Sequence, residues 1–169
     1  MSDSTLRALT IRQPWAWAIA AGFKKVENRG WLPSYRGLVA IHSGLTVDHS
    51  SRGFPDSAAA EALDQIGGRN NCWNPAQHLA GTPGHTLLAL GAIIAVGELV
   101  DAHPAELWCW SSCSPWGDVR YNGRTARHLV LANVRPLATP IPCRGALGLW
   151  TPPDNVAARI CRDQDADRG

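Results

Sequence analysis

The sequence has no hydrophobic run long enough to cross a membrane as a helix. Its most apolar stretch, residues 87–100, is short and is interrupted by Gly91, Gly97 and Glu98, whereas a transmembrane helix needs about 20 apolar residues. The first 13 residues also lack the apolar core of a secretory signal peptide. We therefore expect a protein without a membrane partner and with a cytoplasmic location.

Lysine is scarce, because the 16 basic residues include only two lysines, Lys24 and Lys25. With 14 acidic residues the formal net charge is +2, which excludes a strongly polycationic or polyanionic chain. Since the composition prefers arginine, a retained lysine indicates a position that needs a compact ammonium, which can meet an anion or shift its pKa. Lys24 is the better candidate, and Lys25 is interpreted as a solvated or phosphate-contacting neighbour.

Tyrosine and phenylalanine are also few, two of each, whereas tryptophan occurs eight times. Most buried tryptophans belong to a core, but a partly exposed one can stack on an unpaired base. Trp15 and Trp17 lie two apart on a predicted helix and cannot face the same side. We take Trp31 as the preferred base-stacking residue and Trp15 as the second.

The five cysteines are odd in number and irregular in spacing, which favours free thiols over a disulfide framework. Cys109 and Cys113, taken with His103 or His128, resemble a zinc-ligand set only loosely, because structural zinc sites usually contain a tighter C-x-x-C element. The sequence therefore predicts no metal and no cofactor.

Strand patterns outnumber helical ones along the 169 residues, which fit a single domain. Helices are predicted over 15–21 and 57–66, and irregular loops over 67–85 and 102–126. Strands are predicted over 6–12, 24–31, 36–42, 87–100 and 127–134. Three prolines, Pro136, Pro140 and Pro142, argue against continuing the last strand as a central one.

This order of elements predicts an α+β fold: a small, mixed, mostly antiparallel β-barrel with peripheral helices. The predicted domain covers residues 1–153. Residues 154–169 would form a C-terminal helix or a frayed tail.

Charge is distributed unevenly along the chain. The formal balance is +4 over residues 1–44, −6 over 45–118, +5 over 119–153 and −1 over 154–169. If the two basic segments share a face, they create an anion-binding surface on a nearly neutral molecule. The alternative is that their arginines are solvated on separate faces, and both interpretations stay open.

The most informative segment places Gly22, Lys24, Glu27 and Arg29 in the pattern G-x-K-x-x-E-x-R after a predicted helix. In an extended strand Glu27 and Arg29 point to the same side. A carboxylate there can hold a neighbouring cation or accept a proton. The alternative is a set of surface ion pairs that contributes little to stability.

This motif resembles the hallmark of the ASCH family, part of the PUA-like superfamily. Similar segments are residues 11–16, 41–44, 91–100 with Glu98, and 145–150. The resemblance implies a small β-barrel with a cleft between the barrel and the helix after the first strand. It also implies binding of RNA or DNA, because ASCH proteins are implicated in that function and relatives in the superfamily read modified bases.

A hydrolytic branch of the family removes acetyl groups from acetylated cytidine with a lysine, a threonine and a glutamate. Lys24 matches the lysine, Glu27 stands where that branch has threonine, and Glu98 could replace the distant glutamate. Because the hydroxyl nucleophile is missing, that activity is not carried over. The alternative function is a small hydrolase, an amidohydrolase or nuclease acting on modified nucleosides or RNA. In it Lys24, Glu27 and Glu98 would perform acid–base work on a bound water.

Our main hypothesis is a nucleic-acid-binding protein whose basic, tryptophan-lined cleft takes DNA or RNA and reads a modified or flipped base. Cations would neutralise phosphates, and Glu27 would orient them or accept from the exocyclic amine of cytosine. Ser43 would contact a base edge or phosphate, whereas His42 is either a ligand contact or a buried strand-end histidine. The candidate binding residues are Arg12, Gln13, Trp15, Lys24, Lys25, Glu27, Arg29, Trp31, His42, Ser43, Arg124 and Arg127.

Overall fold

The computed structural model describes residues 5–48, 56–65 and 86–166. Six strands form the main sheet: β1 (Arg7–Gln13), β2 (Val26–Arg29), β3 (Gly37–Val47), β4 (Ala92–Pro104), β7 (Arg127–Pro142) and β8 (Leu149–Trp150). Two short strands, β5 (Arg120–Tyr121) and β6 (Arg124–Thr125), form a separate hairpin. The helices are α1 (Trp15–Ala20), α2 (Ser57–Gln65), α3 (Trp110–Cys113) and α4 (Asp154–Ala166), with 3₁₀ turns at Thr86–Leu88 and Leu107–Cys109.

The main sheet has the strand order β2-β7-β4-β3-β1-β8 and curls into an incomplete barrel. Only β1 and β3 pair in parallel; the other neighbours are antiparallel. The parallel pair follows from the connection through α1, because parallel strands need a crossover. The predicted α+β class, with a mostly antiparallel sheet and peripheral helices, is confirmed.

The prolines of β7 lie where the strand has a single neighbour in the described sheet. β2 pairs with β7 only as far as Val130, whereas β4 accompanies it to Pro142. Pro136 stands opposite Ala95 in that second half. An edge position tolerates a residue that cannot donate a ladder hydrogen bond. The strand is therefore longer than the predicted 127–134, but its extension is not central.

Both faces of the sheet are covered. On one face Ile19 of α1 joins a buried cluster with side chains of β1, β3, β4 and β7. On the other face Val156 and Ile160 of α4 pack with Ile93 and Ile141. The C-terminal segment is thus a helix with a buried stripe. Its separation from a domain over 1–153 stays a prediction.

Three sequence predictions concern the helix at 57–66 and two loops. The helix predicted at 57–66 is confirmed as α2, whereas the loop predicted at 67–85 lies outside the described residues. The predicted loop at 102–126 contains α3 and the β5–β6 hairpin.

Across the described ranges, the structure has no helix of the length and apolarity that a bilayer crossing requires.

Candidate functional site

A cleft of about 870 Å³ opens between the sheet, the start of α1 and the loop that leads into the β5–β6 hairpin. Its walls include residues 10–12 of β1, 27–29 of β2, 44–46 of β3, 120–122 of the hairpin and 146–148 before β8. The resemblance implied a cleft beside the helix after the first strand. The cleft begins there, at Trp15, and extends to the hairpin.

Gly22 determines how the chain enters the cleft from α1. Its φ of +85° lies in the left-handed region, which glycine adopts without a steric cost, and it follows the helix as a C′ residue. The chain then turns back, so that the backbone N–H of Lys24 donates to the carbonyl of Ala18 at 2.9 Å. The motif glycine therefore ends the helix, as predicted, and places the lysine beside β2.

Lys24, Glu27 and Arg29 form one buried ion array. Lys24 Nζ donates to Glu27 Oε2 at 2.8 Å and to the carbonyl of Val26. Arg29 Nε lies 3.2 Å from Glu27 Oε1, and Arg29 Nη2 donates to the carbonyl of Thr10 at 2.6 Å. The side chains of Lys24 and Glu27 are only 4% and 10% exposed. Glu27 therefore holds two neighbouring cations. Because these pairs are buried, removing one partner lowers the free energy of unfolding more than it would at a surface.

One donor of the array remains unsatisfied. Arg29 Nε is at ion-pair distance from Glu27, but it lacks the alignment of a hydrogen bond, and it is buried without such a bond among the described atoms. Unsatisfied buried polar groups are rare in native structures and call for an explanation. The Glu27 carboxylate 3.2 Å away compensates the charge of the guanidinium, although it does not complete a hydrogen bond to this nitrogen.

Overall the cleft is only mildly positive. Its charged lining residues are Arg12, Lys24, Arg29 and Arg120 against Glu27, Asp48 and Asp118. The two basic segments of the sequence therefore meet in part: the first contributes three cations and the second contributes Arg120. Arg124 and Arg127 do not line the cleft.

Aromatic side chains form one wall of the cleft. The rings of Trp15 and Trp116 meet edge to face with centroids 6.4 Å apart, and Tyr121 lies farther along the lining. Trp15 Nε1 donates to Asp48 Oδ2 at 2.9 Å, which fixes the orientation of this ring. Trp31, the preferred stacking residue in the sequence analysis, instead packs against the main core and does not line the cleft.

Sequence reasoning did not single out Trp116 among the tryptophans, and it missed Tyr121 and Asn28 as cleft residues. The Asn28 side chain donates to the carbonyl of Trp116 and accepts from the N–H of Asp118, both at 2.9 Å. It therefore holds the aromatic wall against β2. The concentration of tryptophans in residues 102–126 could have indicated that this loop contributes to a binding site. No local pattern, however, connects the loop to the G-x-K-x-x-E-x-R motif.

His42 and Ser43 are buried in the sheet and lie outside the cleft lining. His42 Nε2 bonds to the carbonyl of Cys143 at 3.0 Å, and its ring meets the ring of Trp150 edge to face. Burial lowers the pKa of His42 below its usual range, and the bond to Cys143 offsets part of this shift. The structure therefore supports the interpretation of His42 as a buried histidine with a backbone partner, but it places His42 within β3 and not at the end of a strand.

Two other predicted residues also lie away from the cleft lining. Lys25 is exposed, which fits a solvated neighbour of the motif. Glu98 stands on β4 between Leu38 and Ala132, so the three residues of the hydrolase alternative are not brought together in the cleft. Lys24 and Glu27 alone remain in contact there.

Gln13, another predicted binding residue, is fully buried and connects three segments. Its Nε2 donates to the carbonyls of Leu87 at 2.7 Å and Ala89 at 3.2 Å, and its Oε1 accepts from the N–H of Trp17 at 2.9 Å. It thereby satisfies a free N–H of the first turn of α1. The side chain has a structural role at the end of β1.

Gln13→Ala is expected to lower the free energy of unfolding by about 1–2 kcal/mol, because it leaves two carbonyls and one N–H without their buried partner. Urea unfolding followed by tryptophan fluorescence measures the change. Arg12→Ala, at the exposed neighbouring position, is the matched control and should change stability by less than about 0.5 kcal/mol. Equal stabilities of the two variants would contradict this role of Gln13.

A second group of polar side chains lies behind the aromatic wall. His103, Cys109, Cys113 and His128 are all buried, and one ligand atom from each lies within 4.8 Å of the others. The register of β4 and β7 places His103 directly opposite His128. The sequence spacing suggested at most a loose set, but the fold brings all four residues together.

The comparisons with known proteins agree with the motif. Residues 9–83 match the family model described as the ASCH domain. The crystal structure of ASCH from Zymomonas mobilis superposes with a TM-score of 0.54 at 12% identity, covering 95% of this chain and 96% of that one. A mutant of that protein gives a TM-score of 0.52 at 13% identity, covering 96% and 98%. No curated protein matches the sequence.

The resemblance to the ASCH family is thereby confirmed, and the chain has the PUA-like fold of its ASCH structural neighbours. At these identities the superpositions show the fold alone. The ASCH family is generally linked to the binding of RNA and other nucleic acids.

Proposed function

We propose that this protein binds single-stranded or locally unpaired nucleic acid, DNA or RNA, with one nucleotide entering the cleft. The observation that carries the proposal is the buried Lys24–Glu27–Arg29 array in the same cleft as the rings of Trp15 and Trp116. Charged hydrogen-bonding groups beside aromatic faces are what recognition of an unpaired base requires. A cytoplasmic location, where nucleic acids and reduced thiols occur together, belongs to the same proposal.

The size of the cleft favours a single nucleotide over a duplex. Pockets for small ligands usually measure about 300–1,000 Å³, and this cleft has about 870 Å³. A duplex would have to be read by an element that enters one of its grooves. A base already unpaired, or flipped from a helix, enters a pocket of this kind instead.

The distribution of charge suggests which part of the nucleotide lies where. The array has a net charge of +1, but the carboxylate of Glu27 and the carbonyls of Val26 and Thr10 already engage both cations, which leaves fewer donors for a phosphate. A neutral base edge suits this position better, because Glu27 can accept from an exocyclic amine and Lys24 can donate to a carbonyl oxygen. Arg12 and Arg120 are exposed on the lining and suit the phosphates.

Apolar side chains at the cleft add contact area for the base or the sugar. Leu45 is 80% exposed and Leu147 is 98% exposed, and both belong to the lining. Single exposed leucines are common on protein surfaces, but on the wall of this cleft the two side chains are available to a ligand. With Trp15, which also lines the cleft, they offer a packing surface that tolerates any base.

The test compares Arg12→Ala and Arg120→Ala with the unaltered protein in binding to short single-stranded RNA and DNA, measured by fluorescence anisotropy at several salt concentrations. Each variant should bind several-fold more weakly, and each should reduce the slope of log K against log salt by about 0.7, the value for one contact to a single strand. Arg162→Ala, on the exposed side of α4, is the control and should match the unaltered protein. Unchanged affinity and slope in both cleft variants would contradict the proposal.

A competition experiment tests whether the cleft recognises a modified base. Nucleosides with acetylated or methylated bases compete against a labelled oligonucleotide, and a selective competitor identifies the base that is read. Glu27→Gln should change the order of competition, because an amide presents a donor as well as an acceptor to the base edge. Chromatography of the same mixtures reports on the hydrolase alternative, since turnover would show a modified nucleoside converted to product.

A further inference from the structure

The cluster behind the aromatic wall has the composition of a zinc site. His103 lies near the end of β4 and His128 near the start of β7, while Cys109 and Cys113 come from the 3₁₀ turn and α3. Two thiols and two imidazoles are a ligand set that selects zinc among the common divalent ions. The residues come from four elements, which the sheet register and the loop bring together.

The distances fit a tetrahedral ion. Cys109 Sγ lies 3.5 Å from His128 Nδ1, and Cys113 Sγ lies 3.5 Å from His103 Nε2. A tetrahedral zinc with ordinary Zn–S and Zn–N bond lengths separates neighbouring sulfur and nitrogen ligands by about 3.5 Å. Two of the distances between ligand atoms therefore already have the value that a bound zinc ion would impose.

Each histidine also has an outer partner that leaves the inward nitrogen free to coordinate. His103 Nδ1 lies 2.7 Å from Asp101 Oδ2, and His128 Nε2 lies 2.8 Å from the carbonyl of Asp118. When these nitrogens donate outward, His103 Nε2 and His128 Nδ1 carry lone pairs that face the thiols. Such carboxylate and carbonyl partners commonly orient metal-bound histidines.

The surroundings close the cluster against solvent. All four side chains are buried, and the ring of Trp108 packs on His103 with centroids 4.8 Å apart. A Cβ on Gly117 would lie 2.8 Å from both Cys113 Cβ and His128 Cε1, so the backbone itself covers the site at this point. A closed set of four protein ligands is typical of structural zinc, because catalytic zinc keeps one position open.

We propose that His103, Cys109, Cys113 and His128 bind one structural Zn²⁺ ion. Binding forms two Zn–S and two Zn–N bonds and releases two protons from the thiols, so that the ion and two thiolates make a neutral buried complex. The ion would tie residues 107–118 to the ends of β4 and β7. Because this loop carries Trp116 and Asp118, zinc would hold the aromatic wall of the cleft in place.

The first experiment measures metal content in protein made in zinc-supplemented medium and purified without chelator. Elemental mass spectrometry should find about one zinc ion per chain. The double variant Cys109→Ser/Cys113→Ser should retain less than about a tenth of that amount. Cys143→Ser/Cys161→Ser removes two cysteines outside the cluster and is the matched control, expected to keep the full amount. Zinc-free protein, or equal zinc in both double variants, would contradict the site.

A second measurement does not depend on whether a variant folds. Exchange of the bound ion for Co²⁺ in the unaltered protein should produce the thiolate-to-cobalt charge-transfer band and the intense visible bands of a tetrahedral site. Absence of the thiolate band would overturn the proposal, as would a Cys109–Cys113 disulfide found by counting free thiols in freshly purified protein. These readouts are independent of nucleic-acid binding, so the zinc site can fail while the proposed function stands, or the reverse.

Discussion

Replacing Glu27 by alanine is expected to lower the free energy of unfolding by about 3–5 kcal/mol, the cost of leaving buried charges without their partner. The carboxylate is the shared counter-ion of Lys24 and Arg29, at 2.8 and 3.2 Å. Lys24 is 4% exposed, so its ammonium cannot recover hydration without a movement of the chain. Urea denaturation followed by circular dichroism measures the loss.

Two further variants separate charge from packing at this position. Glu27→Gln keeps the shape and one acceptor oxygen but removes the charge. It should lower the free energy of unfolding by less than Glu27→Ala does. Glu61→Ala, on the exposed side of α2, is the control for removing a glutamate and should stay within about 0.5 kcal/mol of the unaltered protein. A Glu27→Ala loss as small as that of Glu61→Ala would show that the array is solvated, against the burial described above.

The second large effect is expected at Gly145, where any side chain would collide with a fixed group. A Cβ there would lie 2.5 Å from His42 Cε1 and 2.7 Å from Thr10 Oγ1. Neither neighbour can easily withdraw, because His42 bonds to the carbonyl of Cys143 and Thr10 accepts from Trp150 Nε1 at 3.1 Å. Gly145→Ala should therefore destabilise the protein by about 2–3 kcal/mol through overpacking.

The control for this prediction is Gly30→Ala. The added Cβ would approach only the ring of Tyr121, at 3.4 Å, which is ordinary van der Waals contact. Thermal unfolding of the two variants should differ by several degrees, since about 1 kcal/mol corresponds to roughly 2–8 °C in domains of about 60–250 residues. Melting temperatures that agree within a degree would mean that the segment around Gly145 adjusts without cost.

The cleft residues differ in how far a local pattern could find them. Glu27 and Arg29 were predicted to share a side of a strand, and their side chains meet at 3.2 Å. Gln13 was expected in the cleft, but it points inward and its neighbour Arg12 points outward. Successive residues of a strand point to opposite faces, so both residues could not line the cleft, and the sequence alone does not say which of them faces the core.

Alternation fails altogether in β3, where six consecutive residues, 39–44, are buried. A strand covered on both faces presents no polar side to the sequence. His42 and Ser43 were predicted to end a strand beside the cleft, but β3 continues to Val47 and the structure places both residues inside the sheet. The sequence could indicate the strand but not its double burial.

The sequence by itself determined the local features: the α1 stop at Gly22, the G-x-K-x-x-E-x-R array, the α+β class and the family resemblance. The first two depend on residues within a few positions of one another, where periodicity and backbone preference act directly. The class and the resemblance depend on the order of such local patterns along the chain. Only the tertiary structure decided that Trp116 and Arg120 join the motif in one cleft, and that His103 faces His128 beside two thiols. Those contacts join residues far apart in the chain, and they depend on strand register and loop packing, which no local pattern specifies.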